Sequence, residues 1–111
     1  MKYKLTFLAL LISVLIGCAP QDVKVTISYS KNPQNVYPYS TYGDFAKIYY
    51  TLGAKSFEYT VGNHRSIELT VPAKTRMRAT YDKYISDASG QRATLEDAFY
   101  VVDKSHPIWN F

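Results

Sequence analysis

The chain has 111 residues, of which 47% are hydrophobic and 15% aromatic, with 13 basic and 9 acidic side chains and a single cysteine. Two basic residues, Lys2 and Lys4, precede that cysteine, so the remainder carries 11 basic against 9 acidic residues. This near balance excludes a strongly basic nucleic-acid-binding surface, and one cysteine excludes an intramolecular disulfide.

The first predicted element is an export signal. Lys2 and Lys4 supply a positive start, and the following apolar run, Leu5 to Ile16, is interrupted only by Thr6 and Ser13. A run of this length is typical of a secretory signal and is too short to cross about 30 Å of hydrocarbon as a permanent helix. We therefore expect this segment to direct export.

The apolar run ends in Leu15-Ile16-Gly17-Cys18, which resembles the lipobox of bacterial lipoproteins. The resemblance implies a signal peptide of residues 1–17, lipidation of Cys18 with a diacylglycerol thioether and fatty acyl chains such as palmitate, and a short tether of residues 18–22. Several acyl chains would anchor the protein stably, since one chain holds only marginally. The alternative is an ordinary signal peptide followed by a free cysteine.

The residue after the cysteine indicates in which membrane the protein would be anchored. In Gram-negative bacteria, Ala19 rather than Asp at this position resembles the sorting pattern of outer-membrane lipoproteins. The implied location is the cell envelope, with the protein held on the periplasmic face or the surface of the outer membrane. The partner implied at this end of the chain is the lipid bilayer.

Alternating sequence begins at Val23. The residues at 23, 25, 27 and 29 are apolar or aromatic and those between them are polar, which predicts a half-buried strand. The next segment contains Pro33, Pro38 and Gly43, which favour turns, and it is predicted to be a long loop, Ser30 to Gly43. β-Branched and aromatic residues favour a strand over a helix in the segment 44–52, which ends before Gly53.

The next two alternating segments, 56–61 and 66–71, are separated by Gly62-Asn63-His64-Arg65 and are predicted to form a hairpin. Further strands are predicted in 75–85, with Met77, Ala79 and Tyr81 facing inward, and in 97–103. The sequence therefore predicts an all-β domain over residues 23–111, a small antiparallel sandwich of six or seven strands.

The block "SIELTVPAKTRMRATYD" resembles the passage from strand E to strand F in fibronectin type III and other immunoglobulin-like domains. The resemblance covers about a third of the mature chain. It departs from the family because the tyrosine corner and the buried tryptophan of strand C have no counterpart. A prealbumin-like sandwich fits the same pattern, so the subtype stays open.

No arrangement of residues predicts catalysis or a metal site. His64 and His106 have no second ligand at metal-binding spacing, and we expect structural or exposed roles for both. Glu58 and Glu68 are expected to pair with basic residues on neighbouring strands rather than to form a glycosidase pair. The sequence therefore predicts a protein that is not an enzyme and has no cofactor and no metal.

The segment "NVYPYSTYG" contains Tyr37, Tyr39 and Tyr42 and supplies the candidate binding residues. Exposed rings there would stack on sugar faces or on a protein; the alternative is that they fold back as a lid over the end of the core.

The expected function is a non-enzymatic binding or assembly module that uses sheet edges and this loop with an envelope protein or glycan partner. The alternative function is a protective or inhibitory lipoprotein that acts in phage exclusion, entry exclusion or hydrolase inhibition. The terminal "HPIWNF" is expected to pack against the sheet.

Overall fold

The structure, a computed structural model, describes residues 21–111; the predicted signal peptide, 1–17, and the predicted lipidation site, Cys18, lie outside the described residues. Within 21–111 there are seven strands and no helix, which confirms the predicted all-β sandwich. No helix in this part is long and apolar enough to cross a membrane. The strands are β1 Asp22–Tyr29, β2 Tyr39–Leu52, β3 Lys55–Gly62, β4 Arg65–Pro72, β5 Arg76–Asp87, β6 Gly90–Val101 and β7 Ile108–Asn110.

The strands form two sheets. A three-stranded sheet has the order β4-β1-β7, and a four-stranded sheet has the order β3-β2-β5-β6. All neighbours are antiparallel except β1 and β7, which run parallel with Ile27 opposite Trp109. Asp22, predicted as the last residue of the tether, is instead the first residue of β1.

The core lies between the sheets and is built from alternate residues of the strands. In β1, Val25 and Ile27 are fully buried whereas Lys24 is exposed, as the alternation predicts. Trp109 is 6% exposed, so the C-terminal segment packs against the sheet as expected. The buried apolar residues are Val23, Val25, Ile27, Tyr29, Ala46, Ile48, Tyr50, Val61, Val71, Met77, Ala79, Val102 and Trp109.

The predicted hairpin between segments 56–61 and 66–71 is wrong. β3 pairs with β2 and β4 pairs with β1, so the chain crosses from one sheet to the other at Asn63 and His64. The crossing is held by backbone hydrogen bonds from Asn63 N to Asp44 O (2.7 Å) and from His64 N to Tyr29 O (2.7 Å). Alternation of apolar and polar residues shows only that each strand has one buried face. The same pattern is expected for two strands paired in one sheet and for two strands that face each other across the core.

The predicted loop Ser30–Gly43 is also too long, because β2 begins at Tyr39. Gln34 and Ser40 exchange two backbone hydrogen bonds (2.9 and 3.1 Å), which closes a shorter loop against the start of β2. Gly43 does not end the loop; it lies inside β2, where the pairing with β5 shifts register between Tyr42 and Ala46. Gly43 lies beside Asp82 at this irregularity, and the Cβ of Asp82 would be 3.4 Å from an added Cβ, an ordinary van der Waals contact.

Candidate functional site

The long strands β2, β5 and β6 continue past the buried core at one end of the four-stranded sheet. Thr41 pairs with Tyr84, which pairs with Ala93, and Tyr39 pairs with Ser86, which pairs with Gln91. All six residues from Gly90 to Leu95 are exposed: Gln91, Ala93 and Leu95 lie on the outer face of the sheet, and Arg92 and Thr94 lie on the inner face beyond the buried core. The overhang therefore presents side chains of three adjacent strands to solvent.

A pocket of about 500 Å³ lies at this end. Two tyrosine rings, from Tyr39 and Tyr84, stand 50% and 46% exposed at the pocket, and the other lining groups are largely polar. Aromatic faces combined with a few polar groups are typical of small-molecule and saccharide sites. The lining residues are Tyr39, Ser40, Thr41, Tyr84, Ile85, Ser86, Gln91, Arg92 and Ala93.

The three tyrosines predicted to bind, Tyr37, Tyr39 and Tyr42, are in different environments in the structure. Tyr37 and Tyr39 are 56% and 50% exposed, and their rings form an edge-to-face pair with centroids 5.9 Å apart. Tyr42 is half-buried; its ring lies 6.2 Å from that of Tyr81, and the Lys83 ammonium lies 5.8 Å from its centroid. The tyrosine patch is defined here as the exposed rings of Tyr37, Tyr39 and Tyr84.

The loop that carries Tyr37 is tied to β2 by a side chain as well as by the backbone. Gln34 Nε2 donates to Pro38 O (3.0 Å) and to Val36 O (3.3 Å), and the Tyr37–Pro38 peptide bond is cis. These contacts fix the backbone on both sides of Tyr37. The ring is therefore presented by a braced loop rather than by a freely moving one.

Arg92 is fixed at the pocket by the turn that joins β5 and β6. Its Nη1 donates to Asp87 Oδ2 (2.7 Å) and to Ser89 Oγ (3.1 Å). Hydrogen bonds from Ser89 and from Arg92 lower the pKa of Asp87 to about 2, so the ion pair is present throughout the neutral range. Arg92 lies opposite Ile85 in the ladder, so its side chain leaves the sheet on the face opposite to that of Tyr39, Tyr84 and Gln91.

Sequence reasoning missed Tyr84, Gln91 and Arg92 as part of this site. They lie some 45 residues or more from Tyr39 in the chain and meet it only through the pairing of β2 with β5 and of β5 with β6. The alternation in β5 placed Tyr81 inward and so implied that Tyr84 faces outward. It gave no sign that β2 begins early enough to place Tyr39 beside it.

The glutamates and histidines considered as catalytic candidates lie in structural or exposed positions. Glu58 pairs with Lys47 (3.6 Å) and Glu68 with Lys24 (3.3 Å), and the two glutamates lie in different sheets. His64 is exposed, with its Nδ1 2.9 Å from Ser30 Oγ. Within the described residues, no group of three or more potential ligands is placed to hold a metal ion.

One exposed turn does bring a serine, a histidine and an aspartate together. Ser105 Oγ and Asp103 Oδ2 approach the same ring nitrogen, His106 Nδ1, at 3.3 and 3.4 Å. A catalytic triad needs the serine on one ring nitrogen and the carboxylate on the other. Ser105 Oγ also donates to Asp103 Oδ1 (2.8 Å), so this cluster is a turn-stabilising arrangement.

Comparison of the chain with protein-family models, with curated proteins and with solved structures finds no match.

Proposed function

We propose that the chain is a bacterial envelope lipoprotein, made with a signal peptide of residues 1–17 and anchored through acylated Cys18. The lipobox-like Leu15-Ile16-Gly17-Cys18 supports the anchor, and Ala19 supports an outer-membrane location in a Gram-negative host. After cleavage only Ala19 and Pro20 would separate the lipid-bearing residue from the described domain.

The position of Gln21 defines which end of the sandwich would face the bilayer. Gln21 O accepts a hydrogen bond from Ala73 N (2.9 Å), and Gln21 Oε1 accepts one from Lys104 Nζ (2.9 Å). The chain therefore enters the domain beside the β4–β5 turn. β5 runs from there, at Arg76, towards Tyr84 and Ser86, a distance of about 30 Å in an extended strand.

The sandwich in this proposal acts as a non-enzymatic binding module whose ligand surface is the tyrosine patch. The observation that carries the proposal is the set of exposed rings beside a pocket at the end opposite Gln21. Rings that face away from the bilayer are placed to meet an envelope glycan. Tyr39 and Tyr84 would stack on sugar faces, and Gln91, which lies on the same face of the sheet, would donate to ring substituents.

We also propose that the sandwich is of the immunoglobulin-like subtype. If β1, β2, β4, β5 and β6 are strands B, C, E, F and G, their order in the two sheets matches that of these domains, and β3 stands where C′ does. β7 takes the position beside β1 that strand A takes in the family, although it comes from the other end of the chain.

The test of the binding proposal is co-sedimentation of the detergent-purified protein with isolated cell-wall glycan. We expect binding that falls at least about tenfold when Tyr37, Tyr39 and Tyr84 are replaced together by Ser, with no loss of thermal stability, since all three rings are exposed. Val36→Ser, a matched control in the same loop, should bind normally, because Val36 is exposed and outside the ring pair. Binding that is unaffected by the triple replacement would refute the proposed site.

A further inference from the structure

β6 forms an edge of the four-stranded sheet, and within residues 21–111 no strand pairs with its outer backbone groups. The ladder with β5 runs without a shift from Asp87↔Gly90 to Arg76↔Val101 and continues into a hydrogen bond from Val102 N to Thr75 O (2.9 Å). Because hydrogen-bonded pairs alternate in an antiparallel ladder, the even-numbered residues of β6 bond to β5. The odd-numbered residues, 91 to 101, point their N–H and C=O groups away from the sheet.

This edge lacks most of the features with which proteins usually prevent strand pairing, and its protection is limited to the charged side chains of Arg92, Glu96 and Asp97. Edge strands are commonly interrupted by proline or a bulge, shortened, or lined with lysine. β6 has twelve residues, an unbroken register, no proline and no lysine. A free, regular edge of this length is a template for an added strand.

Apolar side chains accompany the free backbone groups. Leu95, Phe99 and Val101 are 66%, 72% and 52% exposed on the outer face of the sheet. They alternate along the edge, so each would contact alternate side chains of an added strand. An added strand would therefore gain buried apolar surface as well as backbone hydrogen bonds.

The charge at the centre of the edge indicates what the added strand should carry. Glu96 and Asp97 lie next to each other on opposite faces of β6, and within residues 21–111 neither forms an ion pair. The nearby cation of β6, Arg92, is already bonded to Asp87. A strand with basic residues opposite Glu96 and Asp97 would compensate both carboxylates.

A second copy of this chain fits the edge poorly. Antiparallel self-pairing centred on Glu96 or Asp97 sets like charges directly opposite each other, which is destabilising. Antiparallel pairing also reverses the second molecule, so its Gln21 end would point away from that of the first. Two copies tethered to one bilayer by a few residues could not both satisfy that arrangement.

We propose that the edge of β6 binds an extended segment of a partner protein by strand addition, with apolar residues facing Leu95, Phe99 and Val101 and basic residues facing Glu96 and Asp97. A segment paired along residues 93–101 would make about ten backbone hydrogen bonds, which equals the number in a typical protein interface. This surface meets the pocket beside the tyrosine patch only at Ala93, and it does not require glycan binding.

The test uses a labelled nonapeptide, Val-Thr-Val-Thr-Arg-Lys-Val-Thr-Thr, designed to pair antiparallel to β6 with its arginine opposite Asp97 and its lysine opposite Glu96. Fluorescence anisotropy with the detergent-purified protein should show binding at least about tenfold tighter than that of the same peptide with both basic residues replaced by Glu. Phe99→Lys should abolish binding, because it places a solvated charge on the edge. Thr60→Lys, which adds the same charge on the opposite edge strand β3, should bind normally.

The proposal is overturned if neither peptide binds, if the acidic peptide binds as well as the basic one, or if Phe99→Lys leaves binding intact. It is also overturned if the protein self-associates and Phe99→Lys abolishes that self-association, since the occupant would then be a second copy. Tyr39→Ser should retain the peptide while losing glycan, so failure of this surface and failure of the tyrosine patch give different results.

Discussion

Replacing Tyr29 with Phe removes one hydroxyl from the centre of the domain and leaves the ring in place. The Tyr29 side chain is fully buried, and its Oη donates to Gly43 O at 2.7 Å, beside the irregularity in β2. The ring packs against Tyr81 and Phe111, with centroids 5.3 and 5.5 Å away, and a phenylalanine ring would keep these contacts. The change therefore isolates one hydrogen bond between β1 and β2.

The expected loss follows from the carbonyl that is left without its partner. A part-buried acceptor without a hydrogen bond destabilises a protein by about 1–3 kcal/mol. In a domain of this size each kcal/mol lowers the melting temperature by about 4–8 °C. We therefore expect Tyr29→Phe to melt at least about 4 °C below the wild type.

The assay is thermal and urea unfolding followed by circular dichroism, with the urea m-value unchanged. Tyr39→Phe is the matched control, because Tyr39 is 50% exposed and its hydroxyl forms no hydrogen bond within residues 21–111, and it should stay within about 0.5 kcal/mol of the wild type. A Tyr29→Phe protein as stable as this control would refute the reasoning that the hydroxyl holds β2 at its irregularity.

Three further outcomes are expected. Burial raises the pKa of Tyr29 to about 12, above the value near 10 of an unfolded tyrosine. The contribution of this shift to stability is therefore complete below about pH 10 and is lost as the pH rises towards 12. Melting temperatures should fall over that pH range, and they should fall less steeply in Tyr29→Phe. Trp109→Ala should lower the free energy of unfolding measured in urea by about 3–5 kcal/mol, whereas Ile108→Ala, at a 59% exposed neighbour, should have little effect. Cys18→Ser should abolish palmitate labelling and leave the signal peptide uncleaved; a variant that is still labelled, or that is cleaved before residue 18 as the wild type is, would contradict the proposed anchor.

The sequence was sufficient to predict the fold class because the strands alternate clearly. β1 and β4 each have one buried face, and the structure buries Val25, Ile27 and Val71 as that pattern requires. Which strands pair with each other was harder to predict, because the same alternation is found in a strand that pairs within the sheet and in one that faces it across the core. The turn at Asn63 and His64 was therefore interpreted as a hairpin when it joins two sheets.

The candidate site was predictable only in part. The exposure of Tyr37 and Tyr39 agrees with a polar, proline-punctuated segment, but no local signal distinguished them from Tyr42, which turns towards Tyr81. The free edge of β6 was not predictable, because it depends on which strand ends a sheet. Its N-terminal half, 90–96, was not recognised as a strand at all, since its exposed residues show no alternation of buried and exposed positions.

The parallel pairing of β7 with β1 has a consequence for the order of folding. β1 is the central strand of its sheet, and one of its two neighbours is β7, Ile108–Asn110. The contacts that close this sheet join segments about 80 residues apart, and such distant contacts form late and slowly. The three-stranded sheet is therefore incomplete until β7 has returned to the side of β1, so its closure is expected to be a late step in folding.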